Sequence, residues 1–240
     1  MLSWRPVLNY NLSEFADVLE QFESGFYQKA LSKFVDSDFT AAGFSSSQVP
    51  IEQFTAIQSD EATHSTVLQA AIKSFGAKPI TNCQFNFDSL LTDVGTMAAA
   101  ARVVENVGVA AYLGAANLLS DPRLLTAAGS ILTVEARHQT VLNLFSSAGS
   151  VIPAPFDLAF TPSEVLAIVS PFVSGCNLTI PSNVPLTVTN NGTVAPGTLV
   201  TFTASSVNGT IPNEVSFSIF TSHMVDKPKT FPLHRNSSVR

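Results

Sequence analysis

The sequence predicts an all-α fold: a four-helix bundle with a long crossover between its halves, then a fifth short helix and a small β-rich C-terminal segment. Three observations lead there. Four long stretches carry apolar residues at helical spacing. The two halves of that region repeat one unit, a helix with Glu-x6-Tyr followed by a helix with Glu-x-x-His. After Cys176 the apolar period changes from helical to two.

The first helix is expected from about Leu12 to Phe34, with Asn11 or Ser13 as its cap, and the second from just after Pro50 to Gly76. The third begins near Asp88 and continues to about Leu119. The fourth opens on "SDPR", with Pro122 in a first turn whose N–H groups have no helical partner, and ends before Gly149. The fifth opens on "TPSE", where Thr161 and Glu164 have capping-box spacing. Beyond Cys176, "LTVTNNGTV", "TLVTFTA" and "EVSFSIF" alternate around the turn signals "NNG" and "VNG". The polar tail from Ser222 is expected to be loose. The expected divisions are a bundle over 11–149, a short helix and connection over 150–176, a β-rich segment over 177–221 and a flexible tail over 222–240.

Composition narrows the partners. Hydrophobic residues make up 45% of the 240 residues, enough for a sizeable core. Charged residues are only 12%, about half the usual share. Charges inside apolar runs therefore stand out. A net charge of -6 with twelve Lys and Arg offers no basic patch, which argues against nucleic acid as a partner. The most apolar stretch, 94–119, contains Arg102 and Glu105, so no membrane span is expected. The opening "MLSWRPVLNYNLSEF" has no signal-peptide core. Five N-x-S/T sequons, at Asn11, Asn177, Asn191, Asn208 and Asn236, nevertheless point to a secreted glycoprotein whose signal peptide is absent from this sequence. The two cysteines, Cys83 and Cys176, suit either one disulfide in an oxidising compartment or two buried thiols. We expect them to be bonded, which on the chain-entropy model stabilises the fold by about 4 kcal/mol.

The run "ILTVEARHQTVLNLF", 131–145, interrupts apolar residues with Glu135 and His138, three positions apart and so on one helix face. Burying both without a partner is costly. "SDEATHSTVL" repeats the spacing with Glu61 and His64. With nine glutamates in the chain, two of four histidines preceded this way is a roughly 1% coincidence. The other two helices place Glu20 seven residues before Tyr27 and Glu105 seven before Tyr112. One Glu from each of two helices, with Glu-x-x-His from each of two others, is the ligand inventory of a bundle that holds two metal ions. The candidate ligands are thus Glu20, Glu61, His64, Glu105, Glu135 and His138. Glu23, one turn from Glu20, is the alternative on the first helix: tyrosine spacing favours Glu20 and depth along the helix favours Glu23.

Each residue alone has a plainer reading. Glu105 could make an interhelical hydrogen bond, His138 could be a satisfied core histidine, and Tyr27 and Tyr112 could simply pack. As a set the six favour a metal site. No Ser-His-Asp set or phosphate loop competes, and His223 and His234 in the tail look incidental. In an antiparallel pair of the third and fourth helices, Glu105 and Glu135 would meet about 21 Å from the turn. The twelve residues "GAKPITNCQFNF" reach about 40 Å extended, enough to cross the bundle from end to end.

The stretches "LEQFESGFY", "DEATH", "VVENVGVAAYLGAANLL", "ILTVEARH" and "TPSEVLAIVSPFVSGC" together resemble the ferritin-like proteins of the fungal stress-response and plant desiccation-related type, over about 15–176. The resemblance implies a ferritin-like bundle and secretion. Two function classes follow. One is an oxidoreductase whose paired metals, iron first, with manganese or zinc as alternatives, meet dioxygen or peroxide without an organic cofactor. The other is a non-catalytic stress, desiccation-related or surface protein that binds metal or keeps the bundle for stability. Storage in a ferritin-style shell is disfavoured, because the C-terminal segment could obstruct its packing.

Overall fold

The computed structural model describes residues 5–146, 149–152, 154–181, 183, 187–192, 199 and 201–203. It divides into two compact units, Met1–Asn183 and Val184–Arg240. The first holds α1 (Arg5–Lys33), α2 (Asp36–Ala41), α3 (Gln48–Ser74), α4 (Val94–Ala115), α5 (Pro122–Phe145) and α6 (Pro162–Val169). The bundle is α1, α3, α4 and α5.

α1 packs most extensively on α3, and α4 on α5. Both pairs are antiparallel. Gln58 reaches Ser24 while Ser65 reaches Asp17, so α3 climbs as α1 descends. Glu105 meets His138 while Gly108 lies against Glu135, which gives α4 and α5 the same relation. The predicted all-α bundle is therefore present, as two hairpins closed against each other through α1–α4 and α3–α5.

Several boundaries differ from those expected. α1 starts at Arg5, well before Leu12, and Ser13 does not cap it: its hydroxyl donates back to the Asn9 carbonyl inside the helix. α4 starts at Val94, not near Asp88. Asp93 in extended conformation caps it by accepting from the Thr96 amide, and the residues before it form a turn closed by Leu90 and Leu91 amides on the Phe87 carbonyl. The helix gives way after Ala115 to a 3-10 turn, Ala116–Leu118. Asp121 caps α5 with Pro122 in the first turn, and Thr161 and Glu164 form the expected capping box on α6. α2 was not expected. Its six residues are too few to show a period, and it exists to bury Phe39 against Phe54 and Phe44.

The crossover between α3 and α4 is a structured strap. Within it β1 (Gln84–Phe85) pairs antiparallel with β2 (Val173–Ser174), the chain that follows α6, and beside that ladder Cys83 is bonded to Cys176. Phe85, Phe87 and Phe172 surround Phe22 of α1, so the strap and the C-terminal connection close over one face of the first hairpin. α6 is held by a second apolar cluster, in which Phe160 and Val165 pack with Phe15, Val107 and Ala110. Gly114 makes that docking possible, since a Cβ there would lie 1.9 Å from the Phe160 carbonyl oxygen.

In the second unit β3 (Thr187–Val188) pairs antiparallel with β4 (Phe202–Thr203). These fall within the first two stretches expected to be strands. The third, 214–220, lies outside the described residues, as do the tail, His223, His234 and the sequons at Asn208 and Asn236.

Candidate metal centre

Glu20 on α1, Glu61 and His64 on α3, Glu105 on α4, and Glu135 and His138 on α5 all turn into the bundle, and the four carboxylates are fully buried. Helical spacing explains the local half of this: three residues apart, each Glu-x-x-His pair shares one face. The hairpin register supplies the other half by bringing the four faces to one depth.

The atoms form two interlocking groups. Glu20, Glu61, His64 and Glu135 each offer one donor atom, all within 4.8 Å of one another, and Glu61, Glu105, Glu135 and His138 do the same. Glu61 and Glu135 belong to both. Nδ1 of His64 lies 3.1 Å from Glu20 Oε2, 3.0 Å from Glu61 Oε2 and 3.4 Å from Glu135 Oε1. Nδ1 of His138 lies 2.8 Å from Glu61 Oε1 and 3.2 Å from Glu105 Oε2. One ring nitrogen carries at most one proton, which it can share between two oxygens only as a weaker three-centre bond, so it cannot satisfy all the oxygens crowded around it. Accordingly Glu61 Oε1 and both Glu135 oxygens are buried without an aligned hydrogen-bond partner among the described residues, the 2.8 Å approach of His138 to Glu61 being contact without alignment. Buried carboxylate oxygens left this way are costly, and divalent cations are the partners their chemistry suits. The donor set fits two such ions.

The electrostatics follow from burial and crowding. Burial pushes the Glu20 carboxyl up to about 8 despite the His64 imidazole beside it. Burial, with the neighbouring glutamates, also holds Glu105 and Glu135 above the ordinary carboxylate range, Glu135 well above it. Glu61 goes the other way, down to about 2, because both imidazoles outweigh its burial. The carboxylates ringing the imidazoles overcome burial in turn and raise His64 to about 12 and His138 to about 11. Without metal, the site therefore stores protons as imidazolium and carboxylic acid.

The surrounding groups were only partly legible. The Tyr27 hydroxyl donates to Glu105 Oε1 at 2.6 Å, and the Tyr112 hydroxyl donates to Glu20 Oε1. Each tyrosine thus serves the glutamate of the opposite hairpin, whereas packing was the commoner expectation for both. Nε2 of His138 is held by Asp60 Oδ2 at 3.1 Å, an outer partner that sequence reasoning did not find although Asp60 adjoins Glu61. His64 has no such acceptor for Nε2 among the described residues, so of the two imidazoles His138 is the one anchored from outside the cluster. Glu23 is buried beside Gly108 and Glu135 but belongs to neither group of four; Glu20 belongs to the first.

The sequence model of the ferritin-like domain matches residues 9–147, which take in α3, α4, α5, all but the first turn of α1, and all six clustered side chains. The chain belongs to the ferritin-like family. No curated protein matches it. Within this ferritin-like domain the repeat of two Glu-bearing hairpins is what assembles the buried carboxylate and imidazole cluster, and that cluster is compatible with a dimetal site. No described helix is long and apolar enough to cross a membrane.

Proposed function

We propose that this ferritin-like protein binds two metal ions, one held by Glu20 and His64, the other by Glu105 and His138, with Glu61 and Glu135 shared between them. The carrying observation is that the two groups of four overlap in these two carboxylates. Iron is the first candidate, with manganese or zinc as alternatives, because the donors are carboxylates and imidazoles without thiolate. A bound pair of redox metals would supply a two-electron exchange with dioxygen or peroxide.

The chain's own residues prepare the site for that role. Tyr27 and Tyr112 orient the outer glutamates, and Asp60 fixes the ring of His138 so that Nδ1 faces inward. Burial excludes bulk water. No organic cofactor is needed for the two-electron exchange.

We further propose that the protein is secreted and of the stress-response and desiccation-related type. The Cys83–Cys176 bond suits an oxidising compartment, and the sequon residues Asn177 and Asn191 are exposed. Asn11, by contrast, lies half-buried inside α1 and is a poor acceptor.

A non-catalytic reading, in which the bundle binds metal or persists for stability alone, is favoured by one observation. Each imidazole is surrounded by carboxylates, so protonated histidines can offset part of the buried negative charge without metal. The two readings separate when protein is loaded anaerobically with Fe(II) or Mn(II), exposed to dioxygen or peroxide, and followed by absorption beside a Glu135→Ala, His138→Ala variant. A spectral change confined to wild type supports oxidoreductase chemistry; identical traces leave the non-catalytic reading.

A further inference from the structure

A cavity of about 340 Å³ lies between α1, α4 and α6, beside the cluster of carboxylates. Phe22, Val104, Val107, Ile168 and Phe172 give it apolar walls, and exposed Ala99 and Val103 mark its mouth. At its inner side it reaches Glu23 and Gly108. No Lys, Arg or His among the described residues lines it.

Glu23 is only 4% exposed and lines the cavity; no hydrogen bond to its carboxyl is formed among the described residues, and its oxygens are not enclosed by protein as those of Glu61 and Glu135 are. It is therefore a buried polar group directed to the cavity and left to be satisfied by whatever enters. Water suits this space poorly, since an ordered molecule needs two to four polar partners and the walls offer almost none. An engineered apolar cavity of about 150 Å³ stays dry and binds benzene. A space roughly twice that size matches a bicyclic ring or a chain of about ten carbons.

Gly108 connects the cavity with the proposed metal centre. A Cβ at that position would lie 3.1 Å from Glu23 Oε1 and 2.6 Å from Glu135 Oε2, so the missing side chain leaves both carboxyls facing one small space. A second apolar cavity, bordered by Tyr112 and Ile131, holds only about 80 Å³, and the hydroxyl of Tyr112 is already committed to Glu20.

We propose that the cavity between α1, α4 and α6 is a binding site for a small, uncharged, largely apolar molecule bearing one hydroxyl, such as a phenol or fatty alcohol, which donates to Glu23 and is presented toward Glu135. The apolar walls provide affinity and Glu23 provides orientation. Anionic molecules are excluded, because the carboxyl offers no countercharge and no cation among the described residues lines the cavity to compensate. The role as a substrate site rests on the dimetal reading; the binding itself does not.

The test uses 2-naphthol as the probe, with naphthalene and naphthalene-2-sulfonate beside it, titrated by fluorescence into the full chain with metal content measured in parallel. Wild type should bind one 2-naphthol per chain, at least about tenfold more tightly than the sulfonate. Ala100→Trp and, as a smaller filling change, Val104→Phe should each weaken 2-naphthol at least about tenfold while metal stoichiometry stays as in wild type. Glu23→Leu should erase the preference for 2-naphthol over naphthalene. Absence of saturable binding, equal binding of the sulfonate, or filled variants that bind like wild type would overturn the proposal. Loss of metal binding alone would refute the dimetal reading while leaving the cavity site intact, and loss of probe binding alone would do the reverse.

Discussion

Tyr27 on α1 donates its hydroxyl to Glu105 on α4, a 2.6 Å bond across 78 residues that joins the first helix of one hairpin to the first helix of the other. Tyr112 on α4 returns the arrangement by donating to Glu20 on α1. The internal repeat is therefore interlocked: each copy carries the tyrosine that steadies the other copy's outer glutamate.

Removing one hydroxyl should weaken metal binding without dismantling the bundle. Tyr112→Phe keeps the ring and deprives Glu20 of a buried donor, a change worth about 1–3 kcal/mol. Partners of this kind typically contribute about 10–100-fold to metal affinity. Calorimetric titration with Mn(II) should register that loss at the site containing Glu20, and unchanged affinity would reduce Tyr112 to packing.

Shared and unshared carboxylates should behave differently. Glu61→Ala or Glu135→Ala removes a donor from both groups, so stoichiometry should fall from two metals toward none. Glu20→Ala removes a donor from one group alone and should leave the site of Glu105 and His138 able to bind. Metal counting by mass spectrometry after dialysis checks this, and equal losses from all three variants would contradict the bridging assignment.

Gly108→Ala sets two effects against each other. Within a helix the change from Gly to Ala is worth about 1 kcal/mol of stability. Here the new Cβ would meet Glu135 Oε2 at 2.6 Å and displace a carboxylate assigned to both metals. The variant should keep its helix content by circular dichroism yet lose metal affinity about tenfold or more, by the logic that ligand geometry governs affinity. Wild-type affinity would place Glu135 elsewhere in the working site.

The pH response should differ in sign between the metal-free and loaded protein. Burial raises Glu20 to about 8, so its proton stabilises the fold fully below the ordinary value of 4.5, and that contribution is lost as pH climbs to about 8. The imidazolium of His138 and of His64 act alike, stabilising fully below 6.5 and fading as pH passes about 11 and about 12. Glu61, lowered to about 2, has the opposite sign and is lost only as pH falls from 4.5 through that value. Metal-free protein should therefore melt at progressively lower temperature between about pH 5 and 9. Metal must displace these protons, so its stabilising effect should grow over the same range. Melting curves with and without Mn(II) check both slopes, and a metal-free midpoint that rises with pH would refute the proton-storing cluster.

The bundle and much of its inner face were legible in the sequence, because helical periodicity is local. Glu61 with His64, and Glu135 with His138, must share a face wherever the helix forms, and the repeated Glu-x6-Tyr spacing marked Glu20, Tyr27, Glu105 and Tyr112 before any contact was known. Glu20 and Glu23 stand one turn apart and both become buried, and the sequence cues divide between them, so the register of α1 against α3 decides, placing Glu20 on His64 and Glu23 beside Gly108. The exchange of tyrosines between hairpins, the hold of Asp60 on His138 and the cavity under α6 were equally unreadable. Each depends on distances between residues far apart in the chain, and those are decided by how helices, strap and α6 pack on one another, whereas periodicity decides only which way a side chain faces from its own helix.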